Sequence, residues 1–315
     1  MQRAASTNRL KFFSLLGGSL AVLALAIAWI VQALEKLPAE AWNLYPERLY
    51  IIAALLLVPI NYALEILKWH RLMGWGDWRI RTREVLFGVS WSLVGPLRMG
   101  AAVGRIAAAP SAVRNQAVRA FASSSIAQGI ATVLAAATAL FFIDLEATAA
   151  SAAPVIAWAA ALGLIGLYLG WKPRFWGRIA HIRHLKHWGE SRQISFDLRL
   201  FVLGLSALRY LVFLSQFILL LEAFHHAGIA RLQGFERIVD NMISASLTWG
   251  IASVIPSPIL ADLGVREAIA LEVFTMSDVG DPVSVVMAGL ALWAMNLMLP
   301  ALVGASWQAL YRRQK

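Results

Sequence analysis

Six runs of about 20 mainly apolar residues constrain this chain more than any other feature, because each matches the length one helix needs to cross the roughly 30 Å hydrocarbon core of a bilayer. They occupy about residues 12–33, 49–72, 121–143, 152–171, 200–224 and 283–310. In lipid a spanning backbone must satisfy its own polar groups, so runs of this length read as helices. The fold class is therefore all-α, and the chain is polytopic. Residue usage agrees: 59% of residues are hydrophobic and 15% are charged, whereas a soluble domain carries about a quarter charged residues. The 13 Trp suit interfacial belts. Residues 1–315 read as a single integral membrane domain with no soluble domain.

The net charge of +10 would raise nucleic acid as a partner in a soluble chain. Here the basic residues collect between the apolar runs, so the cytoplasmic face and anionic lipid headgroups explain them, and no nucleic-acid partner is expected. Arg3, Arg9 and Lys11 precede the first run. That resembles a secretory signal, but the run is too long and further spans follow, so it reads as an uncleaved first helix with a cytoplasmic N-terminus. Glu35, Lys36, Glu40, Glu47 and Arg48 form a weakly acidic outside loop; Asp144 and Glu146 mark another. Lys68, Arg71, Arg79, Arg81 and Arg83 lie inside, as do Arg312, Arg313 and Lys315, which places the C-terminus in the cytoplasm too. A basic stretch from 172 to 199 interleaves Lys172, Arg174, Arg178, Arg183, Lys186 and Arg192 with Trp176, Ile179, Ile182, Leu185 and Trp188. It reads as an amphipathic helix on the inner leaflet.

Two regions break the pattern. Residues 85–109 form two short apolar pieces around Gly95, Pro96, Leu97, Arg98, Met99 and Gly100, ending at Gly104 and Arg105, with basic residues on both flanks. Both ends want the inner face, which predicts a re-entrant helical hairpin. Residues 238–275 repeat the arrangement around Ile255, Pro256, Ser257, Pro258 and onward to Asp262, Leu263, Gly264, Val265, Arg266 and Glu267, with mixed or acidic flanks. Two prolines, a glycine and three charged groups are costly in a continuous membrane helix. A broken helix sheltered by protein, entering from outside, is the expectation. The count closes at about six full transmembrane helices plus two re-entrant hairpins of opposite direction, a pattern of inverted-repeat transporters.

Polar groups within these runs nominate a binding site. Asn61, Glu65 and Lys68 share one face of the second run, and Glu65 and Lys68 can pair. They either fix packing near the interface or form the wall of a cavity. Arg98 and Arg105 sit among glycines in the first hairpin; arginine suits phosphate, and the alternative reading is that both mark the cytoplasmic boundary. Arg209 and Gln216 share a face of the fifth run, with Arg209 near mid-depth and in need of an acid or a ligand. Glu65, Asp240, Asp262 and Glu267 are the acids available. Arg237, Asn241, Ser244 and Thr248 make a polar face with Asp240 beside it; Ser124 and Gln128 pair along another helix, as interhelical hydrogen bonds do. The candidate substrate-binding set is Glu65, Lys68, Arg105, Arg209, Gln216, Asp240, Arg266 and Glu267, with turns at Gly100, Gly104, Pro256, Pro258 and Gly264. Enzyme signatures such as a P-loop, a nucleophile elbow or HExxH are missing from the sequence. Zero cysteines excludes disulfides and thiolate chemistry. His181, His184 and His187 read as solvated rather than metal-binding. No catalytic residue, cofactor or metal is expected.

Residues 61–69 (Asn-Tyr-Ala-Leu-Glu-Ile-Leu-Lys-Trp), Gly100 to Gly104 and Arg105, 208–213 with Gln216, and 255–267 with its Leu-Gly-Val-Arg-Glu piece occur in this order. Together they resemble the lysylphosphatidylglycerol synthase transmembrane-region family of bacterial membrane proteins. Ala101 stands where that family often has an acid. The resemblance covers nearly the whole chain and implies a lipid-handling domain of the bacterial inner membrane. In its best-known relatives this domain translocates aminoacylated phosphatidylglycerol that a separate soluble domain makes; a chain ending after its last span is not expected to synthesise that lipid. The leading expectation is a flippase-like lipid transporter that binds a phosphate-bearing headgroup in a mid-membrane cavity. The alternatives are a non-catalytic membrane partner of a glycosyltransferase or other lipid-modifying enzyme, docking through 172–192, and an intramembrane enzyme using Asp240, Asp262 or Glu267.

Overall fold

The structure, a computed structural model, describes residues 46–74, 76–92, 99–143, 152–170, 194–225, 234–255, 259–279 and 281–313. The first apolar run, the stretch 172–192, and the turns that contain Pro96, Arg98, Pro256 and Pro258 lie outside the described residues, as does the side chain of Asp262. Every regular element among the described residues is a helix. In chain order these are α1 (Arg48–Leu72), α2 (Trp78–Ser92), α3 (Gly100–Ala108), α4 (Arg114–Ala139), α5 (Ala153–Gly170), α6 (Phe196–Phe224), α7 (Phe235–Val254), α8 (Ile259–Met276), α9 (Pro282–Trp293) and α10 (Leu299–Arg313). Short 3₁₀ turns flank α4, and a π-helical turn at Ala294–Met298 joins α9 to α10.

Five segments among the described residues are long and apolar enough to cross a membrane: Arg48–Leu72, Ser111–Phe142, Ala153–Gly170, Phe196–Phe224 and Pro282–Trp307. They coincide with the last five apolar runs. The outward face of α1 shows why they suit lipid. Leu49, Ile52, Leu56 and Ile60 recur at helical spacing and stay exposed, while Ala54, Val58, Asn61, Glu65 and Lys68 turn inward. Pro59 sits within α1, a position that membrane helices tolerate.

Helices α1 and α6 form the central antiparallel pair. Glu47 N–H donates to Ala223 O, Gln216 Nε2 to Ala54 O, Arg209 Nε to Asn61 Oδ1 and Lys68 Nζ to Ser206 Oγ, so positions rise along one helix as they fall along the other. Local signals set their ends: Ser195 Oγ caps α6 by accepting from Leu198 N–H, and Asp281 caps α9 ahead of Pro282. Two apolar cores flank this pair. One gathers Ala54, Leu214, Phe217, Trp249, Phe274 and Leu292; the other gathers Trp69, Val85, Ala120, Ala127, Tyr168 and Val202. The polar residues of α1 and α6 fall between the two cores.

Helices α2 and α3 pack closely and antiparallel, which glycine makes possible. A Cβ on Gly104 would lie 2.8 Å from Gly88 Cα and 2.9 Å from Phe87 O, and one on Gly100 would run into Trp91 O. Trp69 Nε1 donates to Glu84 Oε2 at 2.7 Å, which fixes α2 to the end of α1. At 15 and 9 residues, α2 and α3 are about 22 and 14 Å long, too short to span. The second pair departs from the expected short pieces. Helices α7 and α8 have 20 and 18 residues, about 30 and 27 Å, so their length matches the hydrocarbon core, although their composition, with four charged residues in α8, sets them apart from the five spans.

Candidate functional site

Three cations from three parts of the chain converge on one carboxylate. Glu65 Oε1 accepts from Arg105 Nη1 at 2.6 Å, and Oε2 lies 3.0 Å from both Lys68 Nζ and Arg209 Nη1. Oε2 has no well-aligned hydrogen bond, so charge at close range holds it. Lys68 lies one turn beyond Glu65 on α1, Arg105 comes from α3, and Arg209 sits at the middle of α6, 13 residues from Phe196 and 15 from Phe224. Glu65 is 4% exposed, Lys68 0% and Arg105 6%. One negative and three positive groups leave this buried cluster at +2. A charged group in such surroundings is expensive unless paired, and a surplus calls for an anion.

Each cation is fixed differently. Lys68 Nζ has three oxygen neighbours, Glu65 Oε2 at 3.0 Å, Ser206 Oγ at 3.2 Å and Gln128 Oε1 at 3.3 Å, which matches the three hydrogens of an ammonium. Arg105 reaches Glu65 past Gly88, where a Cβ would lie 2.6 Å from Arg105 Cγ. Its guanidinium sits over the rings of Trp69 and Phe121, at 5.3 and 5.7 Å from their centroids. Arg209 gives Nε to Asn61 Oδ1 at 2.7 Å and Nη1 to Glu65 and Gln128. The two hydrogens on Nη2 have no acceptor among the described residues, and the side chain keeps 26% of its surface open.

Behind Arg209 runs a directed chain of amides. Asn61 Nδ2 donates to Asn296 Oδ1 at 2.8 Å, Asn296 Nδ2 to Gln216 Oε1 at 3.1 Å, and Gln216 Nε2 to Ala54 O at 3.0 Å. Tyr62 Oη donates to Asn296 O at 2.6 Å. Every donor points away from the guanidinium, so the chain presents acceptor oxygen to Arg209 and locks the orientation of each amide. Asn296 belongs to the π-helical turn, a deviation often met at functional sites.

A cavity of about 220 Å³ opens in front of Arg209, lined by Asn61, Gln128, Thr132, Phe213, Trp249 and Ser253 among others. Arg266 of α8 also lines it, its guanidinium 4.8 Å from the centre of the Trp249 ring. No carboxylate is found among the described lining residues. The cavity thus offers two guanidiniums, neutral amides and hydroxyls, and an aromatic wall. A larger cavity of about 510 Å³ lies apart, at the Leu72 end of α1 near Gln116 and Ser195, away from the buried cluster.

The candidate residues divide. Glu65, Lys68, Arg105 and Arg209 come together directly. Gln216 joins them through Asn296 and Asn61. Arg209 and Arg266 face the cavity, whereas Glu65, Lys68 and Arg105 stand behind it and Arg105 is turned into Glu65. The Glu267 carboxylate is buried against Gly289 of α9, where a Cβ would collide with it. Asp240 lies nine residues before Trp249 on α7, about 13 Å along the axis, and does not line the cavity. Arg237 pairs with Glu222 rather than with the cluster. Gln128, expected to bond between helices, accepts from two of the cations; Asn296 and Trp249 carried no signal beyond a lone amide or indole in an apolar run. Among the described residues no group of His, Asp or Glu is placed to hold a metal ion. No family model matches the chain, and neither does any curated protein or solved structure.

Proposed function

We propose that this chain is a flippase-like membrane lipid transporter, in which the cavity between Arg209 and Arg266 receives the phosphate of a lipid headgroup while the tails stay in the bilayer. The observation that carries this reading is Arg209. Its guanidinium is tied on two sides to Asn61, Glu65 and Gln128, and its remaining amino group faces an accessible cavity opposite a second arginine. Arginine forks suit phosphate, and the surplus positive charge of the cluster favours an anion. In this reading the chain forms six spans with both termini in the cytoplasm of a bacterial inner membrane. The short α2–α3 pair is a re-entrant hairpin from the inner side and α7–α8 enters from the other, as in transporters whose broken elements meet near the midplane. The proposal agrees with the resemblance to the lysylphosphatidylglycerol synthase transmembrane region and rests on the residues rather than on that likeness. The test is reconstitution of the full chain in vesicles with labelled anionic lipid. Movement of lipid between leaflets, lost in Arg209→Gln and Arg266→Ala, is the expected result. No movement above protein-free vesicles, or an Arg266→Ala variant equal to the parent, overturns it.

A further inference from the structure

We infer that the headgroup reaches the Arg209 cavity from the inner leaflet through the second cavity, beside Leu72, and that the Lys68 side chain is the gate between the two. This rests on the transport reading above and gives it an entry site. The two cavities are separate, but the same three helices line both. The entry cavity has Leu72 from α1, Arg119 and Ala120 from α4, and Leu198 and Phe201 from α6. The Arg209 cavity has Asn61 from α1, Gln128 from α4, and Arg209 from α6. Helical spacing joins the two sets. Ala120, Ser124 and Gln128 are four apart on α4; Leu198, Val202, Ser206 and Arg209 follow at four, four and three on α6; Leu72, Lys68 and Asn61 lie four and seven apart on α1. Each helix therefore turns one continuous face toward both cavities. In the transport reading the Leu72 end faces the cytoplasm, where anionic headgroups gather. Arg71 and Arg119 stand on the entry wall with Asp197, and the proposal asks only that they line it, whatever else they touch.

The ground between the cavities is closed. Lys68, Val202 and Ser206 are 0% exposed and Ser124 is 4% exposed. Lys68 is the one long side chain among them. It crosses from α1 to 3.2 Å from Ser206 Oγ on α6 and 3.3 Å from Gln128 Oε1 on α4, so it bars the seam. The same geometry lets the bar lift. Lys68 Nζ and Arg209 Nη1 each lie 3.0 Å from Glu65 Oε2, and 3.3 and 3.4 Å from Gln128 Oε1. Two cations thus share two acceptor oxygens. When an anion draws the flexible lysine stem aside, Arg209 still holds both oxygens; when an anion engages Arg209, Lys68 holds them. Neither step strands Glu65 in a buried setting, which would be the costly event.

The chain has no cysteine, so a single introduced thiol reports alone. The experiment follows labelled phosphatidic acid between the leaflets of vesicles that hold the full chain, before and after a bulky maleimide is attached at Asp197→Cys, an exposed position on the entry wall. Attachment should remove most of the movement. The same reagent on Phe235→Cys, 79% exposed at the start of α7, should leave it unchanged. Movement that survives modification at Asp197→Cys overturns the route and leaves the transport reading standing. No movement by the unmodified parent overturns both. Trapped inorganic phosphate escaping by a maleimide-sensitive path, with labelled lipid left in place, assigns the route to a soluble anion and overturns the lipid as its occupant. The gate is read on Ser124→Cys, between the cavities. It should react on the order of tenfold faster with a charged methanethiosulfonate in a Lys68→Ala background than with Lys68 present, since thiol exchange follows access. Ile126→Cys, on the outward face of α4, should stay unreactive in both. Equal rates at Ser124→Cys make Lys68 a brace and overturn the gate. If Lys68→Ala fails to fold, Ser124→Cys alone decides: phosphatidic acid should speed its reaction, and an unchanged rate overturns the gate.

Discussion

Glu65 Oε1 and Arg105 Nη1 meet at 2.6 Å across 40 positions of sequence, joining a 25-residue spanning helix to a helix of nine residues. The contact lies between the two apolar cores, where water does not compensate a lost partner. It ties the α2–α3 hairpin to the same carboxylate that holds Lys68 and Arg209. One acid therefore decides whether two buried cations, Lys68 and Arg105, and the partly exposed Arg209 are tolerable together.

Glu65→Gln removes the one acid that meets these cations among the described residues and keeps its shape. Breaking a buried pair from one side costs about 3–5 kcal/mol, because it leaves charge uncompensated. Here three cations lose their partner together. The variant should show a large drop in melting temperature or a failure to yield monodisperse protein, read by thermal unfolding and size exclusion in detergent. A melting temperature unchanged from the parent would show that the cluster does not hold the fold.

Gly88→Ala places a methyl group 2.6 Å from Arg105 Cγ and 2.8 Å from Ala101 O. The carbonyl belongs to helix backbone and cannot step aside, so the hairpin must open. Overpacking of this kind costs about 1–3 kcal/mol. Gly129→Ala, in α4, meets no atom within 4 Å and serves as the control. It should be neutral or stabilising by up to about 1 kcal/mol, since alanine is the better helix former. Thermal unfolding of both variants checks the contrast; equal shifts would mean that α2 and α3 do not pack at this crossing.

Much of the architecture was legible because apolar run length is a one-dimensional signal: α1 and α4 to α6 stand where the runs stand, and the α9–α10 segment does too. The Glu65–Lys68 pair was legible for the same reason, as its spacing of three is local. The acid that serves Arg209 was not. Four candidates were open, and only packing of α6 against α1 selects Glu65 over Asp240 and Glu267. Asn296 was hidden more deeply. A single amide among Met295, Leu297 and Met298 gives no periodicity, and the π-helical turn shifts its register, so helical spacing would misplace it. The lengths of α7 and α8 escaped because charged residues shorten an apolar run without shortening the helix.

Asn296→Leu tests the amide chain. The substitution keeps the branched side-chain skeleton, with bulkier methyl groups in place of the amide atoms, and strips a partner from Asn61 Nδ2 and from Gln216 Oε1. Each buried polar group left unsatisfied costs about 1–3 kcal/mol. The expected outcome is a moderate loss of stability with a larger loss of anion binding, because Asn61 would no longer be held facing Arg209. If binding and stability are both unchanged, the chain of amides does not position the guanidinium.

Arg209→Gln separates a ligand-binding arginine from a structural one. In a simple ion pair, losing the arginine would strand its acid. Glu65 still keeps Arg105 at 2.6 Å and Lys68 at 3.0 Å, and the buried surplus falls from +2 to +1. Without anion, the variant should therefore unfold at or above the temperature of the parent, in contrast to Glu65→Gln. With anion the order reverses. A ligand at 100 times its dissociation constant stabilises the native state by about 2.7 kcal/mol, so phosphatidic acid should raise the melting temperature of the parent and leave that of Arg209→Gln in place. Should the anion-free variant instead unfold as early as Glu65→Gln, Arg209 is a structural partner of Glu65, and the cavity in front of it loses its claim to a ligand.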